Sequence, residues 1–339
     1  MSTRSFPLFS VVVLALLLAS CTDREPPAPD DGDNTTIIFD TTSHDFVWDI
    51  TQIGIRHTML LDIEAISDTD VWICGEIHFE NTNRYDSLGN YIKPFNLAHW
   101  DGREWSYMRL KWPSEFPLSL TDICAIKAFS HDDIWFFTGG KIAHLKDGKY
   151  LFWELSYEMS GGYLMEGTPG NLYFAGRGGR LMHFDGTEFR MLNSGTTQDF
   201  NDAWTADGTT MIVANTMDDL SEPQAEILLL GNGKTQIWSD SAMYRGATCL
   251  WFHDLDNGII AGPGIRVYRD GRWSLFSPDN RFKWCVRGTD VNDIFVAGNG
   301  GYIYHFNGAS WHFYDTFATE NYFRLAKMSY IQNLSLIHI

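Results

Sequence analysis

The chain has 339 residues, with 43 Asp and Glu against 25 Lys and Arg, for a formal charge of -18. A surface of that sign repels phosphate backbones, which excludes nucleic acid as a partner. Its five cysteines lack the Cys-x-x-Cys spacing of metal sites, and no cofactor motif is present.

Residues 1–21 are predicted to be a targeting leader. Arg4 supplies the positive start, and the apolar run 8–18 is short for a bilayer span. Removing the leader takes the charge to -19, since Arg4 is its one charged residue. Leu18-Ala19-Ser20-Cys21 resembles the lipobox of bacterial lipoproteins. That resemblance implies that Cys21 becomes an acylated N-terminus, anchoring the protein at the cell envelope, outer membrane or cell surface. Each buried CH₂ contributes about 0.8 kcal/mol, so several chains on one cysteine hold firmly.

Residues 22–36 contain Pro26, Pro27, Pro29 and a run of Asp and Gly, with no apolar residue larger than Ala. Such a segment cannot bury enough surface to order itself and is predicted to be a disordered tether. Asp23 and Glu25 resemble the surface-export signals of some Bacteroidetes-type lipoproteins. Residues 37–332 are assigned to one domain. Within 44–53, Phe46, Trp48 and Ile50 alternate, as in a strand.

From about 57 to 316 one pattern repeats six times. A strand precedes a polar turn, a second apolar run ends in glycine or alanine, a third ends at Asp-Gly or Asn-Gly, and a fourth follows with an aromatic. The closest copies are Val71–Gly75 leading to Ala98-His99-Trp100-Asp101-Gly102, and residues 294–311. The turn glycines 102, 148, 186, 233, 271 and 308 lie 37 to 47 residues apart. That period, with several strands per copy, predicts an all-β protein, a β-propeller of four-stranded antiparallel blades. Asn307-Gly308 between two apolar runs predicts a type I′ hairpin turn.

Residues 320–330 look like the innermost strand of a further blade, whereas 333–339 carry no repeat grammar and are expected to be irregular, in a chain end that looks truncated or misread. With 44–53 and the C-terminal segment closing the ring together, the intact propeller is expected to have seven blades, with six as the alternative.

Cys74, Cys124, Cys249 and Cys285 fall inside predicted strands and are expected as buried free thiols. Cys249 with Cys285 is the one pair for which export makes a disulfide worth testing. His99, His183 and His305 each precede the turn Asp or Asn by two residues, with His144 one place further. Equivalent positions in different blades spread around a ring, so these imidazoles are expected to be structural and no metal site is predicted.

The Asp-Gly-x-x-Trp segments resemble the Asp-box hairpin of sialidase-type propellers, although Asp and Gly are adjacent here and the leading Ser is replaced. No arginine triad or Tyr–Glu pair can be singled out, so no catalytic residue is assigned. Over about 57–316 the repeats resemble the YVTN/BNR-like propellers of bacterial cell-surface lipoproteins. That resemblance implies fold and location more than activity.

Both long insertions, 76–95 and 215–226, fall on the face that carries the connectors between blades. Candidate ligand-face residues are Arg84 and Tyr85 in the first insertion, Arg177, and the connector residues Tyr244, Arg245 and Arg281. The aromatics ahead of each innermost strand (Phe116, Tyr163, Phe200, Tyr244, Phe282) are expected mainly to pack blades together. The function expected is non-enzymatic binding of an envelope protein or glycan. The alternatives are a glycan hydrolase or lyase with axial carboxylates, or an envelope assembly factor.

Overall fold

The computed structural model describes residues 11–16, 41–113, 121–155, 159, 161–215, 225–231, 233–238, 246–276, 281–315, 327–331 and 334–338. Six four-stranded antiparallel sheets coincide with the six repeats. In chain order their innermost strands are Met59–Ser67, Ala125–Ser130, Gly162–Thr168, Phe200–Ala206, Cys249–Asp254 and Lys283–Asp290 (blades 1 to 6). Each innermost strand touches that of the next blade, and Lys327–Ile331 closes the circle by touching both blade 6 and blade 1. The arrangement is a ring, not a stack.

Second strands such as Asp70–Ile77 and Asp293–Gly298 are covered on both faces, so they read as unbroken apolar runs instead of alternating. Fourth strands such as Phe189–Leu192 are half-exposed and form the rim. The core is a set of seven apolar layers between sheets. Trp72, Leu97, Ile126 and Phe136 fill the layer between blades 1 and 2, and Leu250, Phe252 and Met211 one between blades 4 and 5.

The glycine ending the second strand serves close backbone approach. A Cβ on Gly75 would lie 2.0 Å from the Met59 carbonyl oxygen, and one on Gly298 would lie 2.2 Å from that of Phe282. Polar groups tie neighbouring blades at the inner strands. Ile126 N–H donates to Asp62 at 3.0 Å, Leu250 N–H to Asp202 at 3.2 Å, and Ala65 N–H to Ser329 Oγ at 2.9 Å. The Thr248 hydroxyl donates to the Lys283 carbonyl at 2.9 Å, and that of Tyr163 to Phe200.

The remaining four-stranded sheet has the order Val47–Gln52, Val11–Leu16, Leu334–His338, Lys327–Ile331. Residues 47–52 are its outer strand, as the alternation at 44–53 suggested. Residues 11–16, within the leader's apolar run, form a strand of this sheet. Residues 334–338, expected to be irregular, pair between 327–331 and 11–16. Cys21 and the tether 22–36 lie outside the described residues.

The Asn307-Gly308 turn is not type I′. Gly308 has φ 93°, but Asn307 keeps a negative φ, and its side chain accepts the N–H groups of Ala309 and Ser310. That side-chain acceptor holds a longer loop, and Asp101 and Asp185 do the same. Type I′ geometry occurs at Asp147-Gly148 and Asp270-Gly271, where both residues have positive φ.

The histidines are structural. Imidazoles 99, 144, 183 and 305 stack on Trp72, Trp135, Tyr173 and Phe295 of the neighbouring second strand, with ring centroids 3.8 to 4.6 Å apart. Their Nε2 atoms lie 2.6 to 2.9 Å from Asp70, Asp133, Asn171 and Asp293, which begin that strand. The three carboxylates and the Asn171 amide oxygen can only accept, so the Nε2–H tautomer donates. Burial holds His144 and His183 below the ordinary imidazole pKa.

Asp70 is the busiest of these acceptors, taking Trp72 Nε1–H at 2.9 Å, His99 at 2.8 Å and His131 of blade 2 at 2.8 Å. Asp70→Ala should lower unfolding free energy by about 2–4 kcal/mol, because three donors lose one charged acceptor. The exposed turn variant Asp101→Ala should stay within about 1 kcal/mol of wild type. Urea unfolding of both variants checks the contrast.

Candidate functional site: the hairpin face and the axial cavity

Residues 76–95 interrupt the regular first blade between its second and third strands. Within them Arg84–Tyr85 pairs with Tyr91–Ile92 to make a small antiparallel hairpin. Asp86 organises its tip by accepting the N–H groups of Leu88 and Asn90, each at 2.8 Å, and these bonds hold its carboxyl below the ordinary value. The base is fixed to the blade. Phe79 packs edge-on against Phe95 and Tyr107, and Arg109 lies 3.8 Å over the Phe95 ring while donating to the Lys93 and Pro94 carbonyls. The tip is bare: Tyr85 is 68% and Leu88 84% exposed.

Of the candidate residues, Arg84 and Tyr85 therefore share this hairpin. Arg177 is exposed in a short 3-10 turn of blade 3. Arg281 lies 3.9 Å over Tyr302 and 5.4 Å from the Phe313 ring, spread along the outer half of blade 6. The structure does not gather Arg177 and Arg281 with the hairpin into one site, because a ring separates equivalent loops. Tyr244 and Arg245 lie outside the described residues, as do Phe116 and most of the second insertion. Phe200 is fully buried, as expected of a packing aromatic. Cys74, Cys124, Cys249 and Cys285 are free, and burial pushes the Cys285 thiol up to about 11 and that of Cys124 to about 12.

A second feature escaped sequence reasoning. Around the axis, equivalent positions of successive inner strands carry Glu64, Lys127, Glu166, Trp204, Trp251 and Arg287. Each stands opposite the same second-strand position, which holds Trp72, Trp135, Tyr173, Met211, Ile259 and Phe295. With Asp62, Asp202 and Lys327, the charged members and Trp204 line an axial cavity of about 230 Å³. The signal was a charge inside an apolar strand, as in Ala125-Ile126-Lys127-Ala128 or Cys285-Val286-Arg287.

Pairing along this ring is uneven. Arg287 grips both oxygens of Asp202 at 2.8 Å, a bidentate bond. Lys127 donates to Glu166 at 3.0 Å and lies 3.7 Å from Glu64. Burial opposes charge on Lys127, yet Glu166 and Glu64 hold its pKa above the ordinary lysine value. Burial raises the Glu64 carboxyl to about 7, against the pull of Lys127 and reinforced by Glu166 and Asp62. No cluster of three or more potential metal ligands occurs among the described residues.

No protein-family model matches the sequence, and no curated protein does. Solved structures do. The chain is similar to "YCF48 bound to D1 peptide" at 14% identity and a TM-score of 0.61, covering 85% of this chain and 94% of that one. The fold is a β-propeller. The C-terminal WD40 domain of Sif2 is similar at 13% identity and a TM-score of 0.55, with 86% of each chain covered. The extracellular domain of BT4673 from B. thetaiotaomicron is similar at 12% identity and a TM-score of 0.57, with 84% of this chain and 39% of that one covered. At such identities the likeness carries the fold alone.

The raised Glu64 carboxyl has a consequence for stability. The folded state keeps a proton that an ordinary glutamate releases near pH 4.5. The associated stability is complete below that pH and is lost as pH rises through about 7. Glu64→Gln should remove this part of the pH dependence, so the difference from wild type in urea midpoint should change across that window. A constant difference would refute it.

Proposed function

We propose that this protein is a lipid-anchored, extracytoplasmic β-propeller that binds an envelope protein or glycan without catalysing a reaction on it. The carrying observation is the hairpin at 84–92, rigid at its base and bare at a tip bearing Tyr85 and Leu88. A loop longer than its blade needs, on a stiff scaffold, is where binding residues concentrate. An aromatic exposed at such a tip is the kind of anchor that dominates interface energy. A propeller of similar fold, YCF48, is described as bound to a peptide, which supports a protein partner.

The anchor is Cys21, on its likeness to a lipobox. On this reading residues 11–16 leave with the leader. The docking of Phe46 against Phe295 and Tyr314 on blade 6 does not involve them and persists.

Replacing residues 84–92 with a two-residue Asn-Gly turn should abolish capture of the envelope partner by cross-linking and pull-down, while leaving Phe79, Lys93 and Pro94 in place. Tyr85→Ala combined with Leu88→Ser should weaken it by about tenfold or more. Capture unchanged by both would overturn the reading. Metabolic labelling with a fatty-acid analogue, lost in Cys21→Ala, tests the anchor separately.

A further inference from the structure

We propose that the axial cavity binds a small zwitterion of the α-amino-acid class, with its ammonium between Asp62 and Glu64 and its carboxylate on Lys327. Seven ionisable groups line the cavity: Asp62, Glu64, Glu166 and Asp202 against Lys127, Arg287 and Lys327. Two partnerships are already made. Asp202 is held on both oxygens by Arg287. Glu166 takes Lys127 and its own neighbouring Gly167 N–H, each at 3.0 Å.

Three groups retain open capacity. Asp62 accepts backbone bonds from Ile126, through Oδ2 at 3.0 Å, and from Ile63, and no side-chain donor reaches it among the described residues. Glu64 takes the Ala128 N–H and pairs with Lys127 only at 3.7 Å, beyond hydrogen-bond distance. Lys327 makes no hydrogen bond or ion pair among the described residues, and feels Asp62 and Asp202 only as charges at longer range. Open groups in a protein interior cost free energy until something meets them.

Above about pH 7, where Glu64 is ionised, the open set is two carboxylates and one ammonium, and it selects its own complement. Asp62 and Glu64 are two apart on one strand, which places them on one face, and both line the cavity. Lys327 on the adjoining inner strand supplies the site for an anion. A simple anion would meet four carboxylates, and a simple cation would leave Lys327 unanswered. A molecule bearing both charges answers both. The cavity of about 230 Å³ equals roughly seven or eight waters at about 30 Å³ each, a size suited to an amino acid. Trp204, whose indole N–H is already given to the Phe252 carbonyl, adds a flat apolar wall.

This site is independent of the hairpin, so the variant lacking 84–92 should keep it. Titration calorimetry of the full chain above the Glu64 titration of about 7, with L-alanine and L-leucine, should give saturable binding. Acetate and ethylammonium, each carrying one of the two charges, should bind at least about tenfold more weakly. Lys327→Met and Glu64→Gln should each weaken amino-acid binding by about tenfold, with far-UV circular dichroism confirming the fold. Should a variant not fold, the wild-type preference for amino acid over acetate and ethylammonium decides alone. No heat with either amino acid, acetate binding as well as alanine, or binding indifferent to both folded variants would each overturn the proposal.

Discussion

A sheet whose two faces are both apolar has nowhere to stop. Each inner blade of this protein covers one neighbour and is covered by the other, so an open row would leave two apolar faces in water. Closure removes both ends at once. The cyclic contact of innermost strands is therefore the condition on which the rest depends. The glycines ending second strands, the polar links from Asp62, Asp202 and Ser329, and the seven apolar layers all serve that closure.

Across each blade, one row of side chains runs from the axis outward, and its composition is coordinated. In four blades a charged inner residue is followed by an aromatic and then a histidine: Glu64–Trp72–His99, Lys127–Trp135–His144, Glu166–Tyr173–His183 and Arg287–Phe295–His305. In blades 4 and 5 the row is Trp204–Met211–Leu229 and Trp251–Ile259–Val267. Where the stacked pair is replaced by aliphatic residues, the large ring moves to the axis. The same amount of matter is distributed differently. This places Trp204 between two cationic neighbours, with Arg287 5.2 Å and Lys127 5.9 Å from its ring centroid.

The architecture was legible because strand number and turn glycines repeat in order. The structural role of the histidines was legible too, since a residue recurring in four blades cannot converge on one ion. Their partners were less so: Asp70 and Asp133 close the polar Ser-Asp turns of the sequence, where nothing local marks them as acceptors for imidazoles. The hairpin turn at Asn307 was misjudged because the side chain competes with the backbone for the same N–H groups. The axial ring was missed for a different reason. Six residues contribute to it from six separate strands, and no local window contains two of them. Spacing within one strand predicts a face; only closure brings the faces together.

The segment before the first repeat meets residues that are synthesised far later. Tyr314 donates its hydroxyl to the His44 carbonyl at 2.6 Å, and the Thr42 hydroxyl reaches the Asn292 carbonyl at 2.8 Å. Phe46 rests on the Phe295 ring. Joining points some 250 residues apart costs chain entropy that grows only logarithmically with separation, so the union is affordable at equilibrium but belongs late in assembly. Until then the outer flank of blade 6 stands uncovered on the nascent chain, its Phe295 and Tyr314 rings without a lid. Residues 42–46 thus act as a latch that must wait until blade 6 has been made.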